Sequence, residues 1–204
     1  MSAAERLRSD VRRRRVLIAD DDALIRMDLA EMLDEEGFEV VGQAADGELA
    51  VSMAVELRPD LVILDVKMPL KDGIAAAAEI AERQIAPVII LTAYSDRELI
   101  QRALDAGAMT YLAKPFSNAT LLPAIELAAA RYAETVALRT EFADVYERLQ
   151  ARKVIDRAKG LLMTQAKMTE SQAFRWLQRT AMDRRTSMDS VARGVIEQPL
   201  ASAS

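Results

Sequence analysis

Short, continuously apolar runs alternate with longer amphipathic stretches along residues 16–125. Strands buried on both faces of a parallel sheet have continuous runs of this kind, whereas half-buried strands alternate apolar and polar residues. The runs predict strands at 16–19, 39–42, 61–64, 88–91 and 110–112. The stretches between them predict helices near 23–36, 47–57, 73–83 and 96–106. This alternation predicts an α/β doubly wound, five-stranded parallel sheet, which binds ligands at the carboxyl ends of its strands.

The pattern changes after Ser117, because no glycine follows before Gly160 and the segment is rich in Ala, Leu, Glu and Arg. This composition predicts one long helix. Four apolar residues within it recur at spacings of 4, 3 and 4, as in a coiled-coil seam of about two heptads: Leu138, Phe142, Val145 and Leu149. A seam this short is equally compatible with packing on the protein's own domains and with dimerisation, so both interpretations stay open.

Two shorter helical patterns complete the chain. The first begins near Thr169, and its apolar face carries Ala173, Phe174, Leu177 and Ala181. The second begins near 187–189, and its apolar face carries Val191, Val195 and Ile196. Together with the end of the long helix they predict a small all-α three-helix module, whose core would be marginal on its own.

Charge divides the chain into parts of opposite sign. The net charge of −5 combines +4 in residues 1–15, −15 in 16–147, +7 in 148–193 and −1 from Glu197. An acidic domain followed by a basic one indicates two functions, the second on a polyanion. The predicted organisation is a basic amino-terminal arm (1–15), an α/β domain (16–125), a helical linker with the coiled-coil pattern (126–150), a three-helix module (151–197) and a tail (198–204).

The sequence contains no cysteine and no histidine, which removes disulfides, thiol nucleophiles, Ser-His-Asp triads and imidazole or thiolate metal sites. Chemistry is left to carboxylates, hydroxyls, Lys and Arg, and any metal must be a hard cation such as Mg²⁺. No apolar run reaches the ~18 residues of a membrane span, and the amino terminus has no signal-peptide stretch. We therefore expect a cytoplasmic protein without membrane contact.

Polar residues occupy the carboxyl ends of four predicted strands. The acidic run 20–22 follows the first strand, Asp65 and Thr92 end the third and fourth, and Lys114 follows the fifth. Because parallel strands point the same way, these residues meet at one edge of the sheet. Carboxylates brought this close repel each other unless a cation lies between them, so the pattern predicts a Mg²⁺ site. An Asp there can attack an activated phosphoryl group, with Lys114 and Thr92 stabilising the charge, to give an aspartyl phosphate.

The motifs around these residues resemble the receiver domain of two-component response regulators: VLIADDD (16–22), LDVKMPLKDG (64–73), ILTA (90–93) and YLAKPF (111–116). The resemblance covers about 16–125, with the motifs in the right order at the right strand ends, and it implies a flavodoxin-like fold. It implies that Asp65 is the phosphoryl acceptor. It also implies a Mg²⁺ ion held by Asp20, Asp21, Asp65 and the carbonyl of Lys67.

The same resemblance implies a switch next to the acceptor. Thr92 and Lys114 would bind the phosphoryl oxygens, and the peptide bond before Pro115 would be cis. Tyr111 would be an aromatic switch that turns inward when Thr92 moves toward the phosphate. Asp22 is interpreted as the cap of the first helix rather than as a metal ligand.

The carboxyl-terminal module resembles the ANTAR domain over about 145–197, in VIDRAKGLLM (154–163), ESQAFRWL (170–177) and MDSVA (188–192). The resemblance implies a three-helix domain that binds paired RNA hairpin loops and prevents transcription termination. Phosphate attraction and stacking on guanidinium planes make the following residues RNA-binding candidates: Lys159, Arg175, Arg179, Arg184 and Arg185. Trp176 is interpreted as a core or interface residue rather than as a stacking surface.

The two resemblances together predict a response regulator in which phosphorylation of Asp65 controls RNA binding and hence transcription antitermination. Since the chain has no histidine, the phosphoryl group must come from another molecule, and a partner sensor histidine kinase is expected. We also expect a phosphorylation-dependent homodimer whose two modules bind two hairpin loops. No enzymatic activity is expected beyond the protein's own phosphorylation and slow dephosphorylation.

Two alternatives from other functional classes stay open. The last helices would form a helix-turn-helix in a phosphorylation-controlled DNA-binding transcription factor, because positive charge does not separate RNA from DNA. The basic module would instead bind an acidic partner in a protein-interaction regulator without nucleic acid. A haloacid-type phosphatase acting on an external substrate is disfavoured, because receivers catalyse only the reactions of their own aspartate.

Overall fold

The computed structural model describes residues 13–93 and 97–197. Most of the predicted arm (1–15), the first residue of the fourth predicted helix and the predicted tail (198–204) lie outside these ranges. The chain divides into two compact units between Thr135 and Val136. Each unit has a hydrophobic core of its own.

The first unit is an α/β domain whose five strands are parallel and lie in the order β2-β1-β3-β4-β5. The strands are β1 (Arg15–Ala19), β2 (Glu39–Ala44), β3 (Leu61–Asp65), β4 (Val88–Thr92) and β5 (Thr110–Ala113). The helices are α1 (Ala23–Glu35), α2 (Gly47–Leu57), α3 (Gly73–Glu82), α4 (Arg97–Asp105) and the start of α5 (Asn118–Gln165). The predicted doubly wound fold is confirmed. Its strand order reverses between β1 and β3, where such sheets form their ligand-binding crevice.

Apolar side chains cover both faces of the sheet, which explains the continuous apolar runs. Successive residues of a strand point to opposite faces. Leu17 and Val62 therefore lie in a core cluster with residues of α2, α3 and α4. Ile18 and Ile63 lie in a second cluster with residues of α1 and α5.

The long helix predicted after Ser117 is α5, which has 48 residues. Its first turns belong to the core of the α/β unit, where Leu121, Ile125 and Ala128 are at most 2% exposed. Core contacts thus continue beyond residue 125, the predicted end of this domain. The helix also passes through Gly160, because a single interior glycine costs only about 1 kcal/mol relative to alanine. Among the described residues, no helix is both apolar enough and long enough to cross a membrane.

The second unit contains the rest of α5, α6 (Glu170–Asp183) and α7 (Met188–Glu197). A capping box starts α6, in which the backbone N of Gln172 donates to the Thr169 hydroxyl and the Gln172 side chain accepts from the backbone N of Thr169. The buried core is shared by all three helices: Ala158, Leu162, Ala173, Leu177, Ala181, Val191, Ala192 and Val195. The predicted three-helix module is confirmed.

Phe174 does not lie on the buried face of α6, and the prediction that placed it there is wrong. Its side chain is 44% exposed, whereas Ala173 and Leu177 are fully buried. At about 100° per residue, Phe174 lies about 80° from the direction midway between Ala173 and Leu177, at the edge of the buried face, where its side chain stays partly exposed. Trp176 packs against the module's core, as predicted.

Candidate functional site

The predicted site residues converge because they lie at the same edge of the sheet. Each occupies or directly follows a strand end: Asp20 and Asp21 after β1, Asp65 at the end of β3, Thr92 at the end of β4, and Lys114 after β5. These four strands are neighbours in the sheet. Residues up to 94 positions apart in sequence are thereby brought into hydrogen-bond contact.

Lys114 joins two of the carboxylates. Its Nζ donates to Oδ2 of Asp20 at 2.6 Å and also donates to Oδ1 of Asp65. The exposed fractions of the three side chains are only 16% for Lys114, 2% for Asp20 and 9% for Asp65. Charges enclosed to this degree have lost most of their hydration and depend on each other for compensation.

Asp21 completes a cluster of three carboxylates. One oxygen each of Asp20, Asp21 and Asp65 lies within 4.8 Å of the others. Asp21 is exposed while the other two are buried, so solvent reaches the cluster from one side. One ammonium does not neutralise three carboxylates, and oxygen ligands are those that Mg²⁺ prefers. The donor set and its excess negative charge therefore fit a hard divalent cation.

Burial and pairing shift the ionisation of this site. Burial raises the pKa of Asp65 above its usual value; the hydrogen bond from Lys114 offsets this only in part, and repulsion from Asp20 adds to it. Burial acts to lower the pKa of Lys114, but its hydrogen bonds to Asp20 and Asp65 outweigh this and raise that pKa. An ionised Asp65 is therefore costly unless a further cation is bound.

Backbone donors hold the two buried carboxylates. The backbone N of Lys67 donates to Oδ2 of Asp65 at 2.7 Å, and that of Asp22 donates to Oδ1 of Asp20 at 3.0 Å. Asp22 itself accepts a hydrogen bond from the backbone N of Leu24 at 2.8 Å and caps α1, as predicted. Asp20 and Asp21 of the acidic run thus belong to the site, whereas Asp22 caps the helix that follows it.

Two residues that the sequence analysis did not identify also shape the site. The Arg26 guanidinium, on α1, donates to the backbone carbonyl of Asp20 at 2.6 Å. Gly73 begins α3 against the end of β3, where a Cβ would lie 1.8 Å from the carbonyl oxygen of Asp65. The position of Gly73 in the DG pair of its motif was a signal for a close backbone approach. No comparable signal marks Arg26, since its partner is a backbone atom.

The remaining predicted residues lie at this edge of the sheet or, in the case of Tyr111, on the strand that leads to it. Lys67 and Asp21 line one concavity beside the carboxylates. Thr92 is 2% exposed, and its carbonyl accepts from the backbone N of Lys114 at 2.8 Å. Tyr111, on the adjacent strand β5, is 42% exposed, and the peptide bond between Lys114 and Pro115 is cis.

The RNA-binding candidates of the second unit are not gathered in one cluster. Lys159 is engaged by Asp156 at 2.9 Å and by Glu170 at 2.8 Å, and the hydrogen bond to Glu170 raises the pKa of Lys159. Lys159 and Arg175 line one concavity. A different concavity is lined by Arg184 together with Trp176. The other two candidates, Arg179 and Arg185, are exposed.

Two family models match the chain. A response regulator receiver domain matches residues 16–126, and an ANTAR domain matches residues 143–196. The transcriptional regulatory protein PdtaR of Mycobacterium tuberculosis is 62% identical over 184 residues, which are 90% of either chain. The chain belongs to the response regulators that join a receiver domain to an ANTAR domain. The acidic edge of the sheet is thus the edge of a receiver domain, and the basic unit is an ANTAR RNA-binding domain.

Proteins that share only the receiver domain are similar as well. The chemotaxis protein CheY of Halobacterium salinarum is 41% identical over 113 residues, which are 55% of this chain and 93% of that protein. A chain of the CheX–CheY–BeF₃–Mg²⁺ complex from Borrelia burgdorferi has a TM-score of 0.53 and 35% identity, covering 54% of this chain and 85% of that one. CheY4 of Vibrio cholerae has a TM-score of 0.53 and 32% identity, and the match covers 56% of this chain and 98% of that one.

Proposed function

We propose that a partner histidine kinase phosphorylates this response regulator on Asp65, and that phosphorylation controls RNA binding by the ANTAR domain and thereby transcription antitermination. The observation that carries the proposal is the buried pairing of Lys114 with Asp20 and Asp65 beside the exposed Asp21. This arrangement combines the nucleophile Asp65, the ammonium group of Lys114 and a solvent-exposed side of the site that a phosphoryl donor can reach.

Asp65 acts as the nucleophile. One of its oxygens bonds to phosphorus while the P–N bond to the kinase's phosphohistidine breaks, and the imidazole leaves with the electron pair. The hydrogen bonds from Lys67 N and Lys114 Nζ orient the carboxylate before the attack. Lys114 then stabilises the charge on the phosphoryl oxygens, because its ammonium is already in place and needs no reorganisation.

Mg²⁺ would be held by Asp20, Asp21 and Asp65, with the carbonyl of Lys67 as a further ligand. When bound, the ion supplies positive charge to the phosphoryl oxygens. The proposal is supported by the carboxylate cluster and by the similar chain in the CheX–CheY–BeF₃–Mg²⁺ complex from Borrelia burgdorferi.

Thr92 and Tyr111 are proposed to relay the phosphorylation. The Thr92 hydroxyl, at the end of the strand next to Asp65, would bind a phosphoryl oxygen. Tyr111 lies one strand further along and is 42% exposed, so an inward turn would start from an outward position. Phosphorylation would thereby shift the population between two conformations of the receiver domain.

The phosphoryl donor must be another molecule because the chain has no histidine of its own, and we propose that this donor is a kinase phosphohistidine. Exposed apolar side chains lie next to the acidic loops: Leu24 at 69%, Met27 at 64% and Leu70 at 79%. An apolar patch beside a charged cleft suits a docked protein, since interface cores are apolar and their rims polar. We therefore place the kinase contact on α1 and on the loop after β3.

Dimerisation through α5 would present two ANTAR domains to two hairpin loops. The seam side chains are all exposed, at 50% for Leu138, 73% for Phe142, 59% for Val145 and 48% for Leu149. These four side chains form an exposed apolar stripe along the helix, which a second copy of the helix would cover. Phe142→Glu should abolish dimerisation of the phosphorylated protein in analytical ultracentrifugation. Thr140→Glu, on the opposite side of the heptad, is the matched control and should leave it intact.

The decisive experiment compares Asp65→Asn with Asp46→Asn, a helix cap that Asn can replace. Both proteins are treated with a small phosphoramidate and MgCl₂, and their affinity for an RNA with two adjacent hairpin loops is measured. The Asp46 variant should gain RNA affinity as the wild type does, and the Asp65 variant should not. Equal binding by Asp65→Asn and the phosphorylated wild type would refute the switch. Stronger binding to duplex DNA at equal salt would favour the transcription-factor alternative.

A further inference from the structure

We propose that Phe174 is a stacking platform for an unpaired base of the RNA, and that Arg175 beside it contacts the adjoining phosphate. The inference rests on the proposed RNA binding by the ANTAR domain. It names the residue that receives a base, which neither the basic residues nor the family match identify.

The exposure of Phe174 is not explained by the core of the module. Trp176 and Leu177 contact that core from the same helix, whereas the Phe174 side chain is 44% exposed. On a helical wheel at about 100° per residue, Phe174 lies on the same side of α6 as the exposed residues Ser171 and Arg175. The ring is therefore presented on a face of α6 that is otherwise polar and basic near its start.

The concavity around the ring is suited to a neutral group. It is lined by Lys159, Glu170, Ser171, Phe174 and Arg175. Lys159 is already engaged by two carboxylates, so its charge is more than balanced locally. A phosphate in the concavity would meet the Glu170 carboxylate, whereas the uncharged face of a base would meet the ring and the hydroxyl of Ser171. Lys159 then acts as a positioning residue that holds the first turn of α6.

Arg175 supplies the phosphate contact at the edge of the concavity. Its Nε donates to the carbonyl of Ser171 at 3.2 Å, one turn back along α6, which fixes the base of the guanidinium. Its side chain is exposed, so the remaining N–H groups point to solvent. An aromatic ring next to a cation, within a segment of net charge +7, matches the pairing of base stacking and phosphate attraction in single-stranded RNA sites. A protein partner would need a larger apolar patch than one ring.

The test measures RNA affinity for three variants of the full-length phosphorylated protein. Phe174→Ala should weaken binding to a two-hairpin RNA by about 10- to 100-fold, because one stacked base is lost. The slope of log affinity against log salt should stay unchanged, since no charge is removed. Phe174→Trp should bind as tightly as the wild type. Met182→Ala, a truncation of another exposed apolar residue on α6, is the matched control and should have no effect.

A fluorescent base analogue separates stacking from indirect effects. With 2-aminopurine at an unpaired loop position, wild type should change the probe's fluorescence on binding and Phe174→Ala should not. If wild type binds RNA and Phe174→Ala binds equally well, the stacking proposal fails while the proposed function stands. If the wild type binds no hairpin RNA, both fail. A Phe174→Ala protein that loses self-association but keeps RNA affinity would assign the ring to a protein contact and overturn the inference.

Discussion

Lys114 in the receiver domain and Lys159 in the ANTAR domain have the same exposure and the same number of carboxylate partners. Each side chain is 16% exposed, and each pairs with two carboxylates. The carboxylates around Lys114 are 2% and 9% exposed, whereas those around Lys159 are 55% and 70% exposed. Acids of the first kind cannot recover water if their lysine is lost, but acids of the second kind can. The same pairing is therefore enclosed in one domain and exposed to solvent in the other, which sets how strongly each lysine depends on its partners.

Replacing each lysine with methionine is the strongest way to break this comparison. Lys114→Met leaves two buried carboxylates without their ammonium and should lower the free energy of unfolding by about 3 kcal/mol. Lys159→Met should change it far less, because water and salt already screen its partners. Urea unfolding of both variants in a metal-free buffer measures the difference.

Magnesium sharpens the same test. A divalent cation at the carboxylates should restore part of the stability of Lys114→Met and none of that of Lys159→Met. Equal destabilisation by the two substitutions would show that partner burial does not set the strength of these pairs.

Two glycines offer a second contrast of smaller size. A Cβ at Gly73 would lie 1.8 Å from the carbonyl of Asp65, whereas one at Gly160 would meet nothing within 4 Å. Gly73→Ala should therefore destabilise the protein by about 2 kcal/mol and slow phosphorylation of the displaced Asp65. Gly160→Ala, inside a helix, should instead stabilise it by about 0.5–1 kcal/mol. Thermal unfolding and phosphoramidate labelling test both, and a neutral Gly73→Ala would contradict the close approach.

The smallest expected effect is a pH dependence at Asp65. Folding raises the pKa of this carboxyl, so its ionised form lowers stability above the folded-state pKa. The cost fades as the pH falls toward the unfolded-chain pKa of 3.8. Without metal, Asp65→Asn should thus be more stable than wild type at pH 7, and the gap should narrow toward pH 4. Melting curves at several pH values measure this difference in stability. A difference that widens at low pH would contradict a raised pKa of Asp65.

The strands and the acidic edge were predictable because local signals and topology agree. Continuous apolar runs at 61–64 and 88–91 are typical of strands buried on both faces, and a parallel sheet then brings Asp65 and Thr92 to the same edge. The packing of Phe174 was not predictable. Its place depends on the exact rotation of α6 against its neighbours, and periodicity alone does not fix that rotation.

The sequence by itself determined the order of the elements, the absence of thiol and imidazole chemistry, and the residues able to hold a hard cation. Only the tertiary structure decided which of those groups are buried, and burial sets the energetic weight of a charge. It enclosed Asp20 and Asp65 around Lys114, left the partners of Lys159 in water, and turned Phe174 outward. Burial is a property of all the packed elements together, so no local stretch of sequence can specify it.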